Sequence, residues 1–201
     1  MSDNTLTSLL ILARDTVRRP QEGARRVLSL PLPPRAAWDG LALVLILSLL
    51  LTHLTNLILP APVDPLLPLF ANSPLLTAAI LGGFMVAMVT AIYGVGRVMG
   101  GHGTFEGALR LTVWLQFIML VIQVVQTGFL LVLPIVAVLI GPLAFGLMLW
   151  LLTNFIAVLH GFRSLGAVFM MIMVTAFGLG FVLFFLLALF GVTLPTEMPH
   201  V

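Results

Sequence analysis

The chain contains no cysteine and no lysine, and its 201 residues include a single tyrosine. Without cysteine there is no disulfide framework, no CxxC redox pair and no thiolate metal site. Without lysine there is no Walker lysine, and no "GK[ST]" occurs. Charge of either sign is scarce: nine arginines and seven carboxylates make up 8% of the residues. A soluble domain carries about a quarter. Hydrophobic residues reach 61% and the mean hydropathy is +1.21. So few polar groups cannot cover a water-facing surface, and lipid must surround most of the chain.

Uncharged runs extend over 40–63, 65–96, 111–162 and 164–196. A hydrocarbon core of roughly 30 Å needs about 20 helical residues to cross it. The run 111–162 would measure ~78 Å as one helix at 1.5 Å per residue, so it must fold back. Pro134, in "LVLPIV", is one place for the turn, and Gly141–Pro142 is the other. An all-α membrane protein with five spans is predicted, at roughly 40–59, 75–96, 108–131, 138–159 and 166–190.

Arginine placement supports that number. Arg14, Arg18, Arg19, Arg25, Arg26, Arg35, Arg97, Arg110 and Arg163 all fall in the N-terminal segment, the 2–3 loop or the 4–5 loop. With five spans, these share one side. The 1–2 loop and the tail carry no basic residue except histidine. The positive-inside rule then puts the N-terminus in the cytoplasm and the C-terminus outside. The sequence pI near 10.5 reflects these arginines, which suit anionic inner-leaflet lipids and not nucleic acid. The N-terminus does not read as a cleavable signal peptide, because its basic residues follow a short apolar stretch.

Three units follow: a cytoplasmic basic segment (1–35), a five-helix membrane domain (36–192) and a short external tail (193–201). Within the first, Leu6, Leu9, Leu10, Ala13 and Val17 make the stripe of an amphipathic helix. Pro20 ends that helix and suits the first turn of a second, "PQEGARRVL". Two short helices on the inner membrane surface are expected; a disordered basic tail is the alternative.

Inside the spans the polar residues are few. Gln116, Gln123, Gln126 and Thr127 share one face of span 3, and an amide facing lipid would cost several kcal/mol. The stripe should therefore face other helices or a wet cavity, with His53 and Asn56 of span 1 and Asn154 of span 4 as partners. Interhelical glue is one reading of this cluster and a conduction path the other. No Asp, Glu or Arg lies near the centre of any span, which disfavours ion-coupled transport. Ala79, Gly83, Ala87 and Ala91 of span 2, at four-residue spacing, predict close helix packing.

The polar stretch "GRVMGGHGTFEGALR" joins spans 2 and 3. It is no phosphate loop, since G-x-G-x-x-x-G is one residue too long for the dinucleotide pattern and follows a membrane helix. His102 has only Glu106 in helical reach, too few ligands for a metal, and neither HExxH nor GxSxG occurs. No cofactor and no catalytic residue is assigned. A helical hairpin accounts for the residues better: glycines end span 2, Thr104 caps span 3, and Glu106 and Arg110 pair at i, i+4.

"GGHGTFEGALRLTVW" also resembles the loop and third-span start of the Yip1-domain family. "VRRPQEGARRVLSLP" is similar to the pre-membrane segment of its bacterial members, and "LLTNFIAVLHGFRSLGAV" to the end of span 4 and the loop after it. The resemblance implies the same five-span, N-in and C-out plan in a bacterial inner membrane. It also implies a non-enzymatic adaptor or organiser in trafficking or membrane-complex assembly. The cytoplasmic basic face (Arg14, Arg18, Arg19, Arg25, Arg26, Arg97, Arg110 and Arg163) would meet anionic lipids. A membrane-protein partner or a second copy of the chain is the expected company. The alternative is a small transporter, channel or lipid-moving protein that uses the polar face of span 3.

Overall fold

In a computed structural model, residues 3–59 and 74–189 are described. They form seven α-helices: α1 (Asp3–Arg18), α2 (Pro20–Ser29), α3 (Pro34–Ile58), α4 (Pro74–Val98), α5 (Phe105–Val132), α6 (Pro134–His160) and α7 (Leu165–Leu189). The last five are each long and apolar enough to cross a membrane. The tail expected at 193–201 lies outside the described residues, as does the stretch 60–73 between the first two spans.

Proline sets the helix starts. Pro20, Pro34, Pro74 and Pro134 each open a helix, where the missing N–H has no intrahelical partner to lose. The turn inside the long apolar run is at Pro134, and it takes one residue. Leu133, at φ −142° and ψ 77°, is neither helical nor extended; it closes α5 through its amide to Phe129 O at 2.6 Å and precedes the first residue of α6. Gly141–Pro142, the other place for a turn, lies within α6. A proline there removes one helical hydrogen bond but leaves the helix unbroken.

Helix α5 is the hub. It packs most extensively on α6, then on α3, and also touches α4 and α2. The largest buried cluster joins Ala13, Ala24 and Val27 of the N-terminal pair to Trp114, Leu115 and Ile118 of α5 and to Leu151 and Phe155 of α6. The two short helices exist as expected, but they are built into the bundle and do not merely rest on a lipid surface. Gly23 makes this possible: a β-carbon there would fall inside the Thr16 side chain, so α1 and α2 cross in near contact. Thr16, fully buried, takes a hydrogen bond from Trp114 Nε1 at 3.2 Å and donates to Leu12 O at 2.7 Å.

The expected apolar stripe divides accordingly. Ala13 is buried and Val17 packs against the core, whereas Leu6, Leu9 and Leu10 are exposed together with Ile11.

Gly23→Leu should undock the pair, because overpacking so close a crossing costs about 1–3 kcal/mol. Trypsin should then cleave after Arg18, Arg25 or Arg26 in detergent roughly tenfold faster than in the parent, with the five-span fragment left intact.

Candidate functional site

The polar face of α5 meets α3. Gln123 Nε2 donates to Thr52 Oγ1 at 2.9 Å and Ser48 O at 3.4 Å, while Ser48 Oγ donates to Gln123 Oε1 at 2.8 Å. One turn on, the hydroxyls of Thr127 and Thr55 stand 3.5 Å apart. Gln126 turns the other way and donates to Ala137 O of α6 at 3.1 Å. Gln116 is half-buried and makes no side-chain hydrogen bond among the described residues.

The other expected members do not join this cluster. Ser48, Thr52 and Thr55 share a face of α3 at i, i+4 and i+7. His53 and Asn56 each follow a member of that set, about 100° further round the helix, and are exposed. Asn154 is buried elsewhere, accepting from Gln21 Nε2 of α2 at 3.2 Å and donating to Trp150 O at 2.8 Å. It fastens the N-terminal pair. Short hydroxyls on α3 partner Gln123, and sequence reasoning passes over them because a lone Ser or Thr in a span commonly bonds its own helix.

A second centre lies at the arginine-rich end, in the hairpin "GRVMGGHGTFEG". Gly100, at φ 85°, turns the chain after α4, and Gly101 N reaches back to Gly96 O at 2.8 Å. Thr104 caps α5, accepting from Gly107 N at 3.1 Å. The other glycines serve a different purpose. A β-carbon on Gly96, Gly101 or Gly103 would run into the imidazole of His160, the last residue of α6. The hairpin is a seat for that ring.

His160, only 2% exposed, has both nitrogens committed. Nδ1 accepts from Gly103 N at 3.3 Å, and Nε2 faces Ile92 O at 3.1 Å. A backbone amide can only donate and a carbonyl can only accept, so the pair of bonds selects the neutral ring protonated on Nε2. Phe162 stacks on it at 5.5 Å, and His102 N donates to His160 O at 3.3 Å. As placed, the ring has neither lone pair nor proton free for a substrate. Its work is to join α4, the hairpin and α6.

Arg110 makes a third junction. Its guanidinium donates to Leu30 O at 3.0 Å and Leu32 O at 2.7 Å, and pairs with Glu106 at 2.6 Å. Pro31, Pro33 and Pro34 supply no amide donors, so this linker has few internal partners for its carbonyls. Arg110 fills that lack and ties α2 and α3 to the start of α5. It is 15% exposed and belongs to the framework. Arg14, Arg18, Arg19, Arg25, Arg26, Arg97 and Arg163 are exposed. Arg14 touches Asp15 at 3.3 Å and Arg19 touches Glu22 at 3.5 Å, both weak surface pairs.

The small residues of α4 also differ from expectation. Ala79, Gly83 and Ala87 are exposed or half-buried, and a β-carbon on Gly83 would meet nothing. Gly82, one residue away, is the one that faces α3, where a β-carbon would stand 3.3 Å from Leu45 Cδ2. Gly83, Ala87 and Ala91 instead line an open apolar groove of about 720 Å³ between α4 and α7.

Two substitutions separate these roles. Gln123→Leu should cost about 0.6–2 kcal/mol in detergent unfolding, the range for interhelical polar contacts. His160→Leu orphans the buried Gly103 N–H and should cost more, about 1–3 kcal/mol for that donor alone. Equal stability of H160L and the parent would remove the ring from its structural role.

Compared with known protein families, residues 14–188 match the Yip1 domain. No curated protein and no solved structure matches the chain. The match begins inside α1, spans the docked α2, and runs through all five membrane helices almost to the end of α7, so the chain belongs to the Yip1 domain family.

Proposed function

We propose that the protein is a non-enzymatic adaptor or organiser whose N-terminal helix pair is its partner-facing platform. One observation carries this reading: α1 and α2 are fastened to the bundle, yet their outer surface keeps Leu6, Leu9, Leu10 and Ile11 exposed beside Arg14, Arg18, Arg25 and Arg26. A helix tip both apolar and basic suits an anionic membrane surface or an amphipathic partner. The orientation that fits is N-terminus inside, with all nine arginines cytoplasmic, in a bacterial inner membrane. Residues 1–35 then form the cytoplasmic unit, although α2 shares its core with the membrane domain.

The polar face of α5 gives a conduit little support. Gln123 and Thr127 are turned to hydroxyls of α3, and Gln126 to a carbonyl of α6. Neither the void of about 10 Å³ beside Thr112 nor the groove along α4 is lined by any of them.

The absence of cysteine allows a clean test of orientation. Single cysteines replacing Ser8 or Ser164 should be protected from a membrane-impermeant thiol reagent in intact cells, and one replacing Thr196 should be labelled. The reverse pattern would overturn the placement. For the platform, a photo-crosslinking residue at Leu9 or Leu10 should give a discrete protein adduct in native membranes, lost when Gly23→Leu undocks the pair. Lipid adducts alone, together with solute flux in reconstituted vesicles that Gln123→Leu abolishes, would favour a transporter instead.

A further inference from the structure

The groove between α4 and α7 has a shape and a charge that the adaptor reading does not use. Its walls come from Gly83, Thr90 and Gly94 on α4 and from Thr175 and Leu179 on α7. It runs from Gly83 to Met99, a path of ~24 Å at 1.5 Å per residue. One leaflet of a bilayer is about 15 Å of hydrocarbon, half the core. The groove is therefore long enough to hold an acyl chain over the full depth of a leaflet. Its volume, about 720 Å³, lies in the range of ligand sites, roughly 300–1,000 Å³.

The charge lies at one end. Arg97, in the last turn of α4, follows Thr90 by seven residues and so stands on the groove-side face of that helix. Among the described residues its guanidinium makes one long hydrogen bond, Nη1 to Gly101 O at 3.4 Å, and the residue is exposed. Arg163, two residues before α7 begins, is exposed. Both arginines belong to the end of the bundle that the seated histidine joins, because Gly96 abuts the ring of His160 and the turn that carries Arg163 starts at Gly161. No Asp or Glu occurs in residues 65–105 or 107–196. The one carboxylate between them, Glu106, is paired with Arg110, so α4 and α7 themselves bring cations and no carboxylate to the mouth.

We propose that the α4–α7 groove binds one anionic phospholipid, its acyl chain along Gly83–Gly94 and its phosphate headgroup on Arg97 and Arg163. The site does not depend on the adaptor reading. It predicts a preference for a phosphatidylglycerol headgroup over phosphatidylcholine, since the latter brings a cation that finds no carboxylate. Each arginine near an anionic headgroup is worth about 1 kcal/mol, equivalent to about fivefold in binding.

Native mass spectrometry of the full chain tests this, after extraction into mild detergent holding equimolar dioleoyl-phosphatidylglycerol and dioleoyl-phosphatidylcholine. One retained phospholipid is expected, mostly phosphatidylglycerol. Arg97→Gln and Arg163→Gln should each lower the retained ratio about fivefold, while Arg35→Gln, at an exposed arginine of the first turn of α3, leaves it unchanged. Gly83→Leu and Gly94→Leu fill the groove, and a β-carbon at either position meets no neighbour, so both variants should fold with parental helicity yet lose both lipids. An unchanged ratio in the Arg97 and Arg163 variants would overturn the proposal, as would equal loss in the Arg35 variant. Retention unaffected by both groove-filling leucines would do so too. So would a dimer that these leucines dissociate, which would place a second copy in the groove.

Discussion

The seat of His160 is the junction on which the arginine-rich end of this protein depends. A helix hairpin in a membrane normally holds its two arms together by side-chain packing along the spans, with the connecting loop contributing little. Here the loop is fixed to a third helix. The imidazole takes an amide from the hairpin on one side and gives a proton to a carbonyl of α4 on the other, while its own backbone carbonyl receives His102 N. Three glycines must lack side chains for the ring to enter. The same contact fixes where α6 ends, and Gly161 at φ 75° then sends the chain into α7.

Much of this architecture is legible in the sequence, and the part that is not has a common cause. Five spans, the two N-terminal helices, the Thr104 cap and the Glu106–Arg110 pair follow from period, proline and charge, which are properties of a segment by itself. The glycines of "GGHG" read, on their own, as turn formers. Gly100 alone needs positive φ for that purpose, and Gly101 and Gly103 are small because a histidine 57 residues beyond Gly103 lies against them. A seat of this kind leaves no local signature. The polar cluster shows the same limit: the face of α5 emerges from its own spacing, but its partners on α3 depend on the rotation of a second helix. That rotation selects Ser48, Thr52 and Thr55 and turns His53 and Asn56 outward.

Small residues illustrate why position within a helix matters less than what faces it. Gly23 and Ala24 allow α2 to reach α1 and the core, and Gly82 lets α4 approach α3. Gly83, one residue later, has the same chemistry and an open space before it. The four-residue spacing of Ala79, Gly83, Ala87 and Ala91 is a property that favours close approach in lipid only when another helix presents a matching face. Helix α7 does not present it here. Its Val168 and Ile172 pack on Ile156 and Ala157 of α6, and the short turn at Gly161–Ser164 keeps its base beside that helix.

Polar groups are thus distributed according to what surrounds them. Within the spans they are few and turned mainly to one another, as at Gln123, because hydrocarbon offers no substitute partner. At the arginine-rich end, Arg110 and His160 are turned inward, where they hold backbone carbonyls and an amide at the point the helices converge. The exposed arginines, among them those on the N-terminal pair and at the ends of α4 and α7, keep donors for something outside the chain. Those two groups sit on different supports. The first rides on helices anchored through Trp114 and Asn154, the second on the helix ends that His160 brings together, so a substitution that releases one support should leave the other in place.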